Sequence, residues 1–503
     1  MIKKLFVANR GEIAVRVIRA AREMGIRTVA GYSEADRHSL HPALADEAVG
    51  IGGAAPSESY LNVEGIIAAA KVCGADAIHP GYGFLSEQAE FADACSGAGL
   101  IFVGPPASAM RLLGNKIASK QLAVSAGVPI TPGFFEPDAG PDALKSAAGT
   151  IGYPIMLKAS AGGGGRGMRV VRADKDFDHE LAMASEEALK AFGDGSMMVE
   201  KLVERPRHVE AQILADTHGN VAVLFERECS MQRRHQKLIE ESPGPMFRDS
   251  QWQAMRSAVV NLVRASGYEN AGTVEFLMDQ ASGDLYFMEV NARLQVEHPV
   301  TEAVTGVDLV QWQLRIASGE RLVLPDAITA GDRSALYGHA IEARVIAENP
   351  AQGFMPSVGR IKAWAEPKMP GVRIDTGYGP GAEVSRYYDS LLAKVIAHGE
   401  TRGQATRRLI AALEDFHILG VHTNIAYLLD VLRHPSFEAG SFDTGFLERE
   451  FGSWDGSGVL PPELGQIAAC AGSAGSAATG ASVEDVSAWS AGDGFRVANC
   501  RRL

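Results

Sequence analysis

Apolar residues in the first part of the chain come in short blocks separated by polar or glycine-containing punctuation. "KKLFVAN" holds a short apolar run after two lysines and predicts a strand. "GEIAVRVIRAAREMG" alternates apolar and charged positions with helical spacing and stops at Gly25. "RTVAGYS" predicts the next strand and "VEGIIAAAKVCG" another helix, followed by the strand "DAIHP". "PGYGFLSE" is a glycine-rich loop opening a further helix, and "LIFVGP" is one more strand. Strands alternating with helices predict a parallel sheet.

The pattern then changes. A helix "GNKIASKQLAVSAG" leads into "VPITPG", a joint rich in proline and glycine. From "YPIMLKASAGGGGRGM" to about Gly319 the texture is strands, hairpins and a few helices. A polar break comes next at residues 328–334, and "GHAIEARVIAE" opens a third region ending near Phe446. The expected class is therefore α/β and α+β: a Rossmann-like domain over residues 1–113, a central domain over 114–320, and a C-terminal α+β domain over 335–446. Residues 447–503 read as a linker or tail rich in Gly, Ala and Ser, which buries too little apolar surface to order itself. No GxGxxG comes after the first strand, so a dinucleotide is not expected there.

Charge narrows the function classes. A net charge of -13 argues against nucleic acid as a partner. No apolar run has the length of a signal peptide core or a membrane span. The five cysteines (Cys73, Cys95, Cys229, Cys470 and Cys500) are scattered without a CxxC pair, which fits a reduced cytoplasmic or matrix setting, the cytoplasm being the expected one. Cys229 alone lies beside candidate site residues.

Four stretches carry candidate chemistry. In "KASAGGGGRGM" a run of glycines comes after a strand that ends at Lys158. Glycines let backbone N–H groups approach an anion, and a lysine at that point can reach phosphate oxygens. "MVEKLVERPRHVEAQILAD" reads as strand, turn, strand, with Glu200, Lys201 and Val203 where backbone could meet an adenine edge; an ordinary edge strand is the plainer alternative. "ERECSMQRRHQKLIEESPGP" gathers Arg227, Arg233, Arg234, His235 and Lys237 in an acidic chain, a set suited to small anions. "GTVEFLMDQASGDLYFMEVN" reads as a hairpin. Glu275 lies on its first arm and Glu289 and Asn291 on the second, hard oxygen ligands of the kind Mg²⁺ takes.

The last of these runs on into "FMEVNARLQVEHPVTE". Read as one extended strand, it puts Glu289, Asn291, Arg293, Gln295 and Glu297 on one face and Met288, Val290, Ala292, Leu294 and Val296 on the other. The polar face would then be one continuous site. His298 reads as a packing or hydrogen-bonding histidine.

These strings together resemble biotin carboxylase, the ATP-grasp component of the biotin-dependent carboxylases. The resemblance runs from "ANRGEIAVRVIRA" through "HPGYGFLSE", "FVGP", "GNK", "KASAGGGGRGM", "RHVEAQ", "CSMQRRHQK", "GTVEF", "NARLQVEHPVTE" and "GVDLVQWQLRIA" to "YYDSLLAK". Ala161 departs from the family's glycine at the edge of the glycine run. The ending resembles the segment after the carboxylase domain in acyl-CoA carboxylase α chains of the methylcrotonoyl-CoA or geranoyl-CoA type, so the chain is expected to be the front part of a longer subunit.

The resemblance implies an ATP-grasp central domain with a mobile lid at about 131–204. It implies ATP binding by Lys116, Lys158, Gly164, Gly165, Glu200, Lys201, Leu202, Val203, His208, Gln232, His235, Glu275 and Glu289. Glu275, Glu289 and Asn291 would hold two Mg²⁺ or Mn²⁺ ions. Lys237, Arg293, Gln295 and Val296 would bind bicarbonate, with Glu297 as its base. Arg344 would stabilise the biotin enolate, beside Tyr82, Gly83 and Asp389 on the biotin side. The family's Met-Lys-Met attachment motif is absent from the sequence, so biotin is expected as a substrate on a separate carrier. A carboxyltransferase subunit and a homodimer contact on the helix face of Arg19 and Glu23 are implied as well. The competing reading is another ATP-grasp ligase that activates bicarbonate or a carboxylate as an acyl phosphate; "HPGYGFLSE" and "QVEHPVTE" favour the biotin enzyme. A scaffold that binds ATP without chemistry is a third reading, weakened because every expected polar residue is present.

Overall fold

A computed structural model describes residues 1–136, 139–160 and 167–456. Residues 161–166, which include Gly164, Gly165 and the rest of the glycine run, and the tail from 457 with Cys470 and Cys500, lie outside the described residues.

The N-terminal sheet contains β1 (Lys4–Val7), β2 (Arg27–Ser33), β3 (Glu47–Gly52), β4 (Ala77–His79) and β5 (Ile101–Phe102), all parallel in the order β3-β2-β1-β4-β5. Leu5 and Val7 pack into one core and Phe6 and Ala8 into another. Both faces of β1 are therefore covered, which is why it reads as an uninterrupted apolar run. Edge strand β3, with its small and largely exposed residues, carries no such signal. The loop after β4 is fixed by Asn9, whose Nδ2 donates to the carbonyls of Pro80 (2.6 Å) and Tyr82 (2.8 Å). Gly81 there has φ +63°, and a Cβ would lie 2.8 Å from Asn9 Nδ2, so the turn requires glycine.

Residues 131–204 contain a separate antiparallel sheet of β6 (Gly133–Phe134), β7 (Ile155–Ala159), β8 (Met168–Val171) and β9 (Met197–Lys201), ordered β6-β9-β7-β8. Helices Pro141–Ile151 and Phe177–Phe192 close its core around Leu144, Leu157, Phe177 and Val199.

The largest sheet has eight strands. β10 (Arg207–Ala215), β11 (Val221–Arg233), β12 (Gln236–Ser242), β13 (Asn270–Met278), β14 (Leu285–Asn291) and β15 (His339–Ile346) are joined by strands Leu391–Gly399 and Val372–Thr376. The sequence break before residue 335 falls inside this sheet, because β15 pairs with β12, with Glu240 opposite Glu342. Gly377, just past Val372–Thr376, presses on the first helix: a Cβ there would lie 2.4 Å from the Gly11 carbonyl carbon. Packed structure also continues past Phe446, as helix Phe446–Phe451 and then Trp454, whose indole donates to Asp430 at 2.8 Å.

The extended reading of "FMEVNARLQVEHPVTE" is corrected on two counts. β14 ends at Asn291; Ala292–Val296 is an irregular turn, and Glu297 is the residue that precedes helix His298–Thr305. Within β14 the register slips: Glu275 faces Glu289 but Phe276 faces Phe287, leaving Met288 as an extra residue. A bulge reverses the alternation beyond it. Phe287 therefore packs in the core with Val290 and Ala292, while Met288 lines the same cavity as Glu289.

Candidate active site

A cavity of about 300 Å³ lies between the 131–204 sheet and the eight-stranded sheet. Lys116, Lys158, Glu200, Lys201, Leu202, Val203, His208, Gln232, His235, Glu275 and Glu289 all line it. Helix Lys116–Ser125 supplies Lys116 and, one turn on, Lys120. Lys120 and Lys158 each meet Glu200 at 2.6 Å. Burial alone would raise the Glu200 carboxyl, yet Lys158 and Lys120 bring it down to about 2. Burial, with Lys158 nearby, lowers Lys120. Three lysines thus converge here, a field suited to the anionic end of a nucleotide. Lys120 was not among the expected residues; its spacing of four from Lys116 was the available signal.

Two expected contributors are partly engaged already. The Lys201 and Leu202 N–H groups donate to the carbonyls of Pro132 (2.7 Å) and Pro154 (3.2 Å), and Lys201 Nζ donates to Gly152 O at 2.9 Å. The turn between β11 and β12 is Arg234-His235, with φ of +49° and +66°. Left-handed backbone at two non-glycine residues costs roughly 1–3 kcal/mol each and directs His235 to the cavity.

At the far end, Glu275 and Glu289 face each other across β13 and β14, with Asn291 opposite Thr273. Burial, then the charge of Glu275, raises Glu289. Burial would also raise Glu275, but Lys237 and His208 hold it far below the usual carboxylate range. His208 lies 3.1 Å from Glu275. Burial lowers His208, and Glu275 more than reverses this. Facing carboxylates beside an amide oxygen form a hard donor set, and the raised Glu289 is a carboxylate short of positive charge; both features fit a divalent cation. Another donor set brings His208, Glu210 and Glu275 within 4.8 Å of one another, sharing only Glu275 with the expected trio.

Lys237 links this end to the next. Its Nζ donates to Glu275 Oε1 at 2.9 Å and to Glu210 and Glu297 at 2.6 Å each. Glu297 is fully buried and also accepts from Arg344 at 2.9 Å. Burial would raise it, but Lys237, Arg344 and Arg227 pull it well below its ordinary value, so it is a carboxylate at neutral pH. Arg293, in the turn, donates to Gln295 Oε1 (3.0 Å), Asn291 Oδ1 (3.3 Å) and Glu87 (2.9 Å). The structure thus brings Arg293, Gln295 and Glu297 together by a turn. Glu87, within "HPGYGFLSE", was missed; it also accepts from the Ala292 N–H at 3.1 Å and fixes the turn. The Val296 carbonyl accepts from Lys394 at 2.9 Å. His298 is buried, its Nδ1 2.7 Å from the Gln295 carbonyl.

Arg227 is corrected as an anion ligand. It is fully buried and donates to Glu210, Gln212, Thr301 and Thr273, leaving it no face for a solute. Arg233 pairs with Glu348 at 2.8 Å. Cys229 is buried, and desolvation pushes its thiol well above the ordinary range, so it stays a neutral thiol.

A second cavity of about 290 Å³ is lined by Tyr82, Gly83 and Asp389 together with Asn9, Arg10, Phe84 and Tyr388. Tyr82 Oη donates to Glu12, which pairs with Lys394 at 3.2 Å. Arg344 does not line this cavity; it donates to Glu240 (2.6 Å) and Glu297.

Three stretches of the chain match known protein domains. Residues 1–110 match the biotin carboxylase N-terminal domain, residues 115–324 the ATP-binding domain of the carbamoyl-phosphate synthase L chain, and residues 342–449 the biotin carboxylase C-terminal domain. Biotin carboxylase 1 of Bacillus subtilis (strain 168) is 49% identical over 448 residues, covering 89% of this chain and 98% of that protein. The mitochondrial methylcrotonoyl-CoA carboxylase subunit alpha of Rattus norvegicus is 49% identical over 447 residues, again 89% of this chain but only 62% of its own length. A crystal structure of the biotin carboxylase domain dimer of Hydrogenobacter thermophilus 2-oxoglutarate carboxylase, with MgADP, ADP and bicarbonate, superposes with a TM-score of 0.85. It is 45% identical, covering 89% of this chain and 98% of that one. With near-complete coverage of a curated relative at that identity, and a fold shared over 89% of this chain, the chain belongs to the biotin carboxylase family of ATP-dependent ligases.

Proposed function

We propose that the chain carboxylates biotin with bicarbonate at the expense of ATP, as the first half-reaction of an acyl-CoA carboxylase. One observation carries this reading. Lys237 bonds both Glu275, at the end of the nucleotide cavity, and Glu297, the buried carboxylate beyond it. The phosphate end and the base are thus a single side chain apart.

The residues then divide the work. Lys116, Lys120 and Lys158 meet the phosphates, and Glu200 to Val203 with His208, Gln232 and His235 hold the rest of the nucleotide. Glu275, Glu289 and Asn291 would hold Mg²⁺ or Mn²⁺, which neutralises phosphate charge when bound. Lys237, Arg293, Gln295 and the Val296 backbone orient bicarbonate. Glu297 takes its proton; the freed oxygen attacks the γ-phosphorus and the bond to the β-phosphate oxygen breaks, giving ADP and carboxyphosphate. Breakdown yields CO₂ and phosphate. That phosphate takes the N1′ proton of biotin, and N1′ bonds to CO₂. Arg344 steadies the negative ureido oxygen. Tyr82, Gly83 and Asp389 border the route of biotin. The depressed Glu297 is ionised and able to accept; bicarbonate drawing on Lys237 weakens the field that depresses it.

The chain spans about 62% of the methylcrotonoyl-CoA carboxylase subunit it resembles. A biotinyl carrier, a carboxyltransferase, a homodimer contact at the helix bearing Arg19 and Glu23, and a cytoplasmic setting complete the proposal. Among the described residues no helix is long and apolar enough to cross a membrane. The central match to a carbamoyl-phosphate synthase domain keeps one rival, an ATP-grasp ligase indifferent to biotin. Bicarbonate-dependent ATP cleavage, measured with and without free biotin, separates them. Stimulation by biotin is expected; cleavage blind to biotin supports the rival.

A further inference from the structure

Behind Arg344 lies a pair of acids to which the mechanism gives no task. Glu240 on β12 and Glu342 on β15 are direct cross-strand neighbours and neither exposes any surface. Arg344 Nε donates to Glu240 Oε1 at 2.6 Å, while its Nη2 reaches Glu297 at 2.9 Å. Glu240 Oε2 and both oxygens of Glu342 find no donor among the described residues. The cations nearby are committed. Arg344 serves Glu240 and Glu297; Lys237 serves Glu210, Glu275 and Glu297; Lys394 lies against Glu12, the Val296 carbonyl and Asp375. Two carboxylates directly opposite in a dry sheet, with one shared guanidinium, cannot both remain charged. A proton on Glu342 turns an orphaned acceptor into a donor, and Glu240 Oε2 is an orphaned acceptor across the strand pair.

We propose that Glu240 and Glu342 are positioning residues that share one proton, Glu342 holding it while Glu240 remains the anion that fixes Arg344 beside Glu297. This rests on the reading of Arg344 as the group that faces the biotin ureido oxygen. Arg344 has two rotamer-setting partners, and without anionic Glu240 its guanidinium falls wholly onto Glu297. It then leaves the place where charge develops on biotin and further depresses the base.

The environment supports the assignment. Burial first, then the charge of Glu297, pushes Glu240 up to about 7 against the pull of Arg344. Burial and the charge of Glu240 hold Glu342 well above the ordinary carboxylate value, despite Lys394. The groups facing the pair are Lys237 on its own strand, Arg344 on β15, Cys229 on β11, Lys394 on Leu391–Gly399, and Glu297 ahead of helix His298–Thr305. Cys229 is neutral, so the balance is set by the lysines, the arginine and the glutamates.

The test uses the full chain and biotin-stimulated ATP cleavage across pH 6 to about pH 9, comparing wild type with Glu240→Gln, Glu342→Gln and Arg344→Ala. In Glu240→Gln, kcat for the biotin-stimulated reaction falls roughly ten- to hundredfold with KM for ATP unchanged. The wild-type loss of rate as pH drops through about 7, where Glu240 takes up a proton, disappears. Glu342→Gln, a permanently neutral donor, stays within about twofold of wild type. The inference is overturned if Glu240→Gln keeps the wild-type rate and pH limb, or if Glu342→Gln falls as far as Glu240→Gln. It is also overturned if kcat, ATP KM and thermal midpoint all deteriorate together in Glu240→Gln, which marks a merely structural role. If Arg344→Ala retains biotin stimulation, the reading of Arg344 itself has failed.

Discussion

Glu200 and Glu240 are both glutamates in strands and both buried, at 1% and 0% exposure, yet they stand at opposite ends of the site with opposite acidities. Glu200 sits between two lysines and is drawn down to about 2; Glu240 sits among carboxylates and is driven up to about 7. Burial pushes both upward, so the difference is a matter of how many cations each can claim. The nucleotide end carries surplus positive charge and is built for an anion. The bicarbonate end carries surplus carboxylate and stores a proton. Phosphoryl transfer needs the first and deprotonation the second, and Lys237 is the side chain at which the two fields meet.

Removing Lys237 disturbs both ends of the site at once. Lys237→Met leaves Glu210, Glu275 and Glu297 buried without their shared cation, and such a loss costs about 3–5 kcal/mol. We expect a large fall in thermal midpoint together with loss of bicarbonate-dependent ATP cleavage. A variant that melts with wild type would show that the three carboxylates do not depend on this lysine.

A smaller effect sharpens the nucleotide side. In Lys120→Met, Lys158 must neutralise Glu200 alone and has less to offer a phosphate. KM for ATP is expected to rise about tenfold, the worth of one charge-assisted contact, with KM for bicarbonate unchanged. Equal changes in both constants would mean that the two fields are not separable.

The smallest effect lies outside the site and tests whether burial alone acts as described. His79, the last residue of β4 before the loop that carries Tyr82, is fully buried, and desolvation lowers it to about 4 in spite of Gln313. The unfolded chain binds a proton near 6.5 and the folded one does not until about 4, so stability rises with pH across that window and is complete above it. At pH 6 the deficit is about 1 kcal/mol. Denaturant titrations of His79→Gln are expected to show a shallower loss from pH 7 to about pH 5 than wild type; identical slopes would contradict the assignment.

Much of the scaffold was legible because its physical causes are local. β1 and β2 are covered on both faces and read as apolar blocks, and "QASGD" marks the hairpin that brings Glu275 opposite Glu289. The expected nucleotide-side residues with described positions do line one cavity. What escaped depends on long-range register. The extra residue Met288 and the end of β14 at Asn291 leave no mark on the alternation of polar and apolar residues, so a bulge and a turn were read as a straight strand. Arg227 was read as an anion ligand because it shares a short stretch with Arg233, Arg234, His235 and Lys237, whereas its partners in space are Glu210 and Gln212 on the adjacent strand. The opposite acidities of Glu200 and Glu240 were beyond reach for the same reason: Lys120, Lys158 and Glu342 come from other elements.

The central claim is that nucleotide and bicarbonate are held by electrostatically distinct ends of one site, and the most direct measurement compares them in three variants. ATP affinity and bicarbonate-dependent ATP cleavage are measured together for Lys158→Ala, Arg293→Ala and Glu297→Gln. Lys158→Ala is expected to lose ATP affinity, whereas Arg293→Ala and Glu297→Gln bind ATP as wild type and fail to cleave it in response to bicarbonate. Loss of ATP affinity in Glu297→Gln to the extent seen in Lys158→Ala would contradict the claim.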